Sequence, residues 1–180
     1  MKKYYTDERG PQIIMALLKA FGIRKVVASP GTTNLSLVAS MQQDPFFEMY
    51  SSVDERSAAY MACGMASESG EPVVITCTGA TASRNYMPGL TEAFYRKLPV
   101  IALTANQGVK NIGHLVAQNI DRRRTPNDIV KMSVEIPVVT TDEDAWLCNV
   151  NVNRALLELT HGGGLSLIHI SEPTRLDVIS

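Results

Sequence analysis

Pro72-Val73-Val74-Ile75-Thr76-Cys77 is a nearly unbroken apolar run that ends on Thr78-Gly79. A short run without apolar–polar alternation reads as a strand covered on both faces, the signature of a parallel sheet under helices. The rest of the chain fits that frame. Lys25-Val26-Val27-Ala28-Ser29 is a second strand and stops at Pro30-Gly31; Glu48–Ser51 and Pro99–Leu103 are further short strands, and Ser133–Val139 is extended. Helical patterns lie between them. Pro11–Ala20 ends before Gly22, Asn34–Met41 follows the Pro-Gly turn, and Asp54 caps a helix over Glu55–Ser67. One helix is predicted over Thr81–Tyr95, and another from the cap Thr141 to about Leu159, before Gly162-Gly163-Gly164. Alternating strands and helices with short turns predict an α/β fold: three layers, α/β/α, around a mostly parallel sheet with right-handed crossovers. A polar loop is expected over Thr104–Asp128, a length that is usually functional or mobile.

The charge balance excludes two partner classes. With 17 Lys+Arg against 18 Asp+Glu the net charge is -1, which gives no electrostatic footprint for nucleic acid or an anionic membrane. No apolar run approaches the roughly 18–20 residues of a membrane span. Cys63, Cys77 and Cys148 are odd in number and form no metal-binding spacing, so they fit buried thiols in a cytoplasmic chain. Arg122-Arg123-Arg124 is flanked by Asp121 and Asp128 and reads as a solvated loop.

In open α/β sheets ligands bind beyond the carboxyl ends of the strands. Four segments fall there: Ser29–Asn34, Val53–Arg56, Cys77–Thr81 and Thr104–Gln107. Glu55 is the sharpest candidate, a carboxylate in the first turn of a helix at the ligand edge. Position alone also allows it to do no more than complement the helix dipole, worth about 0.3–1 kcal/mol. A functional carboxylate there needs a dry surrounding that changes its proton affinity. Ser29-Pro30-Gly31-Thr32-Thr33 reads either as an anion-binding turn or as a plain turn with threonine capping. It is no P-loop, because the Gly-Lys-Ser/Thr ending is absent. Thr78-Gly79-Ala80-Thr81-Ala82 carries the same two readings. Ser83 has no Gly-x-Ser-x-Gly setting, and neither His114 nor His161 is placed to serve it, which argues against a Ser-His-Asp hydrolase.

Taken in order, the segments Ser29-Pro30-Gly31, Val53-Asp54-Glu55-Arg56 with the Ala/Gly-rich helix Ala58–Ala66, Val73–Ala93 and Leu98–Asn106 resemble the pyrimidine-binding, N-terminal domain of thiamine-diphosphate-dependent enzymes. The resemblance covers about Gly10 to Gly164 and is strongest toward the menaquinone-pathway and acetolactate-synthase-like branches. It implies a Rossmann-like domain and an enzyme that decarboxylates a 2-oxo acid, ligates the resulting carbanion to an acceptor, or does both. It implies that Glu55 shares a proton with the ring nitrogen of the cofactor's aminopyrimidine. Pro30, Gly31, Thr78 and Gly79 would then line the cofactor, with Thr33, Gln107 and Gln118 on the substrate side. Thr32-Thr33-Asn34 and Asn106-Gln107-Gly108 stand where the menaquinone-pathway enzyme carries arginines. Loss of those bidentate carboxylate grips points to a different 2-oxo acid.

The resemblance also implies a second α/β domain for the diphosphate and Mg²⁺, marked by Gly-Asp-Gly and a later Asn, and neither part occurs in this chain. No metal ligand is therefore assigned here. A homodimer or larger oligomer would complete the site with another subunit's diphosphate domain. A split two-chain enzyme and a non-catalytic binding or regulatory domain are the alternatives. Leu165–Arg175 is similar to the in-frame translation of a transposase adapter used in preparing sequencing libraries. On that reading residues 1–164 are the truncated pyrimidine-binding domain and residues 165–180 a non-native tail. The alternative is a strand built on Leu165, Leu167, Ile168 and Ile170.

Overall fold

The computed structural model describes residues 5–108, 111–116, 119–121, 125–160 and 166–172. The strands are β1 (Lys25–Ala28), β2 (Glu48–Ser51), β3 (Val73–Thr78), β4 (Val100–Gln107), β5 (Met132–Ile136) and β6 (Ser166–Glu172). The helices are α1 (Arg9–Ala20), α2 (Leu35–Gln43), α3 (Glu55–Ser69), α4 (Thr81–Asn85), α5 (Met87–Tyr95) and α6 (Asp142–Thr160), with a 3₁₀ turn at Thr32–Asn34. All strand pairs are parallel, in the order β2-β1-β3-β4-β6-β5. The chain leaves β1 for β2 on one side and returns to β3 on the other, so the strand order reverses at β1 and opens a crevice at its carboxyl end.

Local chemistry explains where the elements stop. Pro11 sits in the first turn of α1, where its missing N–H costs nothing. Gly22 ends the helix at φ 71, with Gly22 N–H on the Lys19 carbonyl and Ile23 N–H on that of Leu18, a left-handed stop in which both hydrogen bonds satisfy terminal carbonyls. Asp54 caps α3 through the Ser57 N–H (2.8 Å), and Gly70 closes it at φ 69. Thr141 Oγ1 accepts from Asp144 N–H, and the Asp144 carboxylate accepts from Thr140 and Thr141 N–H in return.

The larger departures from the sequence expectation have local causes. The helix predicted over Thr81–Tyr95 is two helices that meet at Tyr86, because Pro88 has no N–H and its ring crowds the turn before it. Strand β4 continues to Gln107, so Thr104–Gln107 is sheet; Thr104 and Ala105 pair with Cys77 and Thr78 of β3. The extended segment near residue 135 ends at Ile136, one residue before Pro137.

Strand alternation splits the core into two layers. Val26, Val74, Ile101, Leu103, Val134, Ile136, Ile168 and Ile170 face α1, α2 and α6. Val27, Val73, Ile75, Cys77, Val100 and Ala102 face α3 and α5. The central strands are apolar because both of their faces are covered. Strand β5 alternates, with Ser133 and Glu135 exposed and Val134 and Ile136 buried. Residues 166–172 insert between β4 and β5 and bury Ile168 and Ile170. Gln118, Arg122–Arg124, His161–Leu165 and residues 173–180 lie outside the described residues.

Candidate functional site

The carboxyl ends of β1, β2, β3 and β4 bring the candidate residues to one edge of the sheet. Strand β1 runs into Ser29-Pro30-Gly31 and the 3₁₀ turn. Asn34, fully buried, organises this turn: its side-chain oxygen accepts from Gly31 N–H (2.8 Å), and its amide donates to the Ser29 carbonyl (3.2 Å) and more weakly toward Thr76 Oγ1 (3.4 Å). Asparagine supplies donors and an acceptor in one short side chain, which suits it to holding a turn against a strand. Thr33 Oγ1 donates to the Ala105 carbonyl of β4 (3.0 Å), so its hydroxyl ties the turn to the sheet.

Gly31 and Thr78 are in direct contact. A Cβ on Gly31 would stand 2.1 Å from Thr78 Cγ2, so only glycine permits this approach of the β1 and β3 loops. After Thr78, Gly79 and Ala80 are buried. Ala80 holds φ 55 and ψ −126, a conformation that favours glycine and strains an L-residue. The buried Ser83 hydroxyl donates to the Ala80 carbonyl (2.8 Å) and fixes this turn to α4.

Glu55 is half-buried at the first turn of α3. Its Oε2 accepts from Asn85 Nδ2 (3.0 Å), and the same nitrogen donates to Asp54 Oδ1 (2.6 Å). Asp54 Oδ2 accepts from both the N–H and the hydroxyl of Ser57. The Ser57 N–H, then the Asn85 amide and the Ser57 hydroxyl, hold the Asp54 carboxyl below the usual aspartate range. Val53, just before this pair, is 95% exposed.

Two polar atoms at this edge have no partner among the described residues: Ser29 Oγ, on a residue 3% exposed, and Asn106 Oδ1. An unpaired buried oxygen is costly, and such atoms commonly meet a ligand or ordered water. The structure thus brings together Gly31 with Thr78, and Glu55 with Asp54 and Asn85. Pro30 is exposed beside Gly31, Gly79 follows Thr78, and Gln107 ends β4. Sequence reasoning placed Asn34 at the ligand edge without its role in holding the turn, and did not single out Asn85. Both are polar residues at helix ends, a position that signals capping and nothing more specific. Among the described residues no cluster of three or more His, Cys, Asp or Glu side chains is placed for a metal ion, and no helix is long and apolar enough to cross a membrane.

Known proteins resemble this chain in sequence and in fold. The model of the thiamine pyrophosphate enzyme N-terminal TPP-binding domain matches residues 8–125, more than half of the chain. Among curated relatives, the 2-succinyl-5-enolpyruvyl-6-hydroxy-3-cyclohexene-1-carboxylate synthases of Phocaeicola vulgatus and Bacteroides thetaiotaomicron are each 38% identical over 169 residues, 94% of this chain. The chain spans about 30% of the length of these relatives. Among solved structures, the thiamine diphosphate-dependent 4-hydroxybenzoylformate decarboxylase of Rhodococcus jostii superposes with a TM-score of 0.72 at 24% identity, covering 91% of this chain and 31% of that one. The benzoylformate decarboxylase of Polynucleobacter necessarius gives 0.72 at 21% identity, covering 90% and 29%. These two likenesses show a shared fold, and the sequence matches show the family: the chain belongs to the thiamine pyrophosphate enzymes, as their N-terminal TPP-binding domain.

Proposed function

We propose that the chain supplies the aminopyrimidine side of a thiamine-diphosphate site, in an enzyme that decarboxylates a 2-oxo acid and passes the remaining acyl unit to an acceptor. The observation that carries this reading is Glu55: a half-buried carboxylate at the crevice edge, with Oε2 held by Asn85 and Oε1 free of any hydrogen bond from the described residues. The cradle fits the group. Gly31 and Thr78 close the loops of β1 and β3 to van der Waals contact, and Ser29 Oγ and Asn106 Oδ1 offer unpaired oxygens at the same edge.

When bound, the cofactor supplies a nucleophilic carbon and an electron sink for the departing CO₂. Glu55 would meet the ring nitrogen of the bound group and share a proton with it through its carboxylate. The packed turn of Gly31 and Asn34 would face the ring, above strands whose Val27, Ile75 and Ala102 are buried. Mg²⁺ and the diphosphate belong, on this reading, to a second domain beyond these residues. A pairing of copies would bring that domain to the crevice, and exposed Val53, Tyr60 and Met61 around the start of α3 give such a contact apolar surface.

The test is Glu55→Gln in the enzyme completed by its diphosphate-binding part. Turnover of the 2-oxo acid is expected to fall about 10²–10⁴-fold, the range for loss of a positioned proton partner. Wild-type turnover in this variant would overturn the assignment.

A further inference from the structure

We infer that Asn85 is the positioning residue of Glu55: a single side-chain amide, anchored on α4, clamps Oε2 of Glu55 and Oδ1 of Asp54 together. The inference rests on the reading of Glu55 given above and extends it to a residue which that reading does not use. A primary amide nitrogen carries two hydrogens, and here each meets a different carboxylate, Asp54 at 2.6 Å and Glu55 at 3.0 Å. The reverse orientation of the amide would set its oxygen against two carboxylates, so the donors must face them.

The clamp is held from both sides in the chain. Ser83 Oγ bonds the Ala80 carbonyl at the start of α4 (2.8 Å), and the buried Tyr86 hydroxyl pairs with Thr104 Oγ1 of β4 (2.7 Å). Asn85 lies between these anchors and has little freedom to follow the carboxylates. The catalytic group sits on α3 and its support on α4, so the clamp also fixes the two elements relative to each other. The clamp is neutral. Arg84, the adjacent cation, donates instead to the Asp121 carbonyl (3.4 Å). A guanidinium in place of Asn85 would make a stronger, charge-assisted bond and hold the carboxylate ionised. An amide orients Glu55 without adding a charge beside it.

Two measurements test this. In the ¹⁵N-labelled chain, the Asn85 side-chain amide protons are followed against pH. Their response should come from both carboxylates, part of it lost in Glu55→Gln and part in Asp54→Asn. An Asn85 profile unchanged by Glu55→Gln would overturn the clamp and leave Asn85 a companion of the α3 cap. In the completed enzyme, Asn85→Ala should lower kcat about 10–100-fold with KM within about threefold, the loss typical of removing a supporting hydrogen bond. Asn85→Asp, isosteric but without the donors, should lose at least as much. Wild-type kcat in Asn85→Ala, with Glu55→Gln inactive, would overturn the positioning role alone. An active Glu55→Gln would instead overturn the reading of Glu55, and the amide profile would still report whether the pair exists.

Discussion

Helices α1, α2 and α6 meet the sheet through Ile14, Met15, Leu18, Leu37, Met41, Val152 and Leu156, whereas α3 and α5 meet it largely through Ala58, Ala59, Ala62, Ala66, Leu90 and Ala93. The first face is filled by long aliphatic side chains, the second by methyl groups and close backbone approach. At Gly89 of α5 a Cβ would lie 2.4 Å from Ala59 Cβ of α3. The thick face supplies burial, at roughly 25 cal/mol per Å² of apolar surface. The thin face supplies position: Asp54, Glu55 and Asn85 all sit on helices of that side, and small residues keep those helices low against the sheet.

The largest effect should come from emptying the thick face. Leu18 is fully buried, and Leu18→Ala should cost about 2–5 kcal/mol of unfolding free energy through lost transfer and a residual cavity. Urea unfolding of the full chain reads it directly. On the thin face the damaging change is addition. Gly89→Ala should cost about 1–3 kcal/mol by overpacking against Ala59. Adding Ala59→Gly should recover part of that loss, although glycine inside a helix itself costs about 1 kcal/mol. Additive losses in the double variant would mean that the two helices are not in the close contact described, and the distinction between the faces would fail.

This asymmetry governs what could be read from sequence. The central strands were legible because residues such as Val73, Val74 and Ile75 are apolar on both faces, and the glycine and proline stops at Gly22 and Pro30-Gly31 mark where elements end. The Ala/Gly-rich run Ala58–Ala66 was legible as a helix as well. Glu55 was legible as a first-turn carboxylate at the ligand edge. Its support was not, because Asn85 lies thirty residues away and meets Glu55 only through tertiary packing. The break at Tyr86 was hidden because the apolar spacing continues across it, although Pro88 carried the signal. Strand β4 was cut short because Thr104 and Asn106 look like loop residues, yet Thr104 is buried with Tyr86 as its partner.

A smaller change should sharpen the same contrast. The thin side holds a strained backbone at Ala80, φ 55 and ψ −126, between the site strand β3 and the helix that bears Asn85. Glycine adopts this region without a Cβ penalty, so Ala80→Gly should stabilise the chain by about 1 kcal/mol, the relieved strain outweighing the extra unfolded-state entropy. A rise in the urea midpoint at unchanged slope is the expected reading. A fall would show that Ala80 is unstrained and that its methyl packs usefully on this face.

The smallest effect distinguishes the caps of the two sides. Asp144 lies in the first turn of α6 on the thick face, and the N–H and hydroxyl of Thr140, with those of Thr141, hold its carboxyl down to about 2. A group whose pKa is depressed in the folded state contributes stability above its ordinary value of 3.8, and that contribution is lost as pH falls through about 2. Asp144→Asn should therefore lower Tm at pH 7, and the gap should narrow steadily from pH 4 toward pH 2. Asp54, capping α3 with Ser57 and shared with Asn85, is also held below 3.8, so the Asp54→Asn gap should narrow as pH falls below that value. The two differ in what Asn85→Ala does to them. It should shrink the pH-dependent part of the Asp54→Asn gap, because one donor to that carboxylate is gone, and leave the Asp144→Asn gap untouched. Equal responses at both caps would mean that the amide contributes nothing to Asp54, and the thin side would then owe its geometry to packing alone.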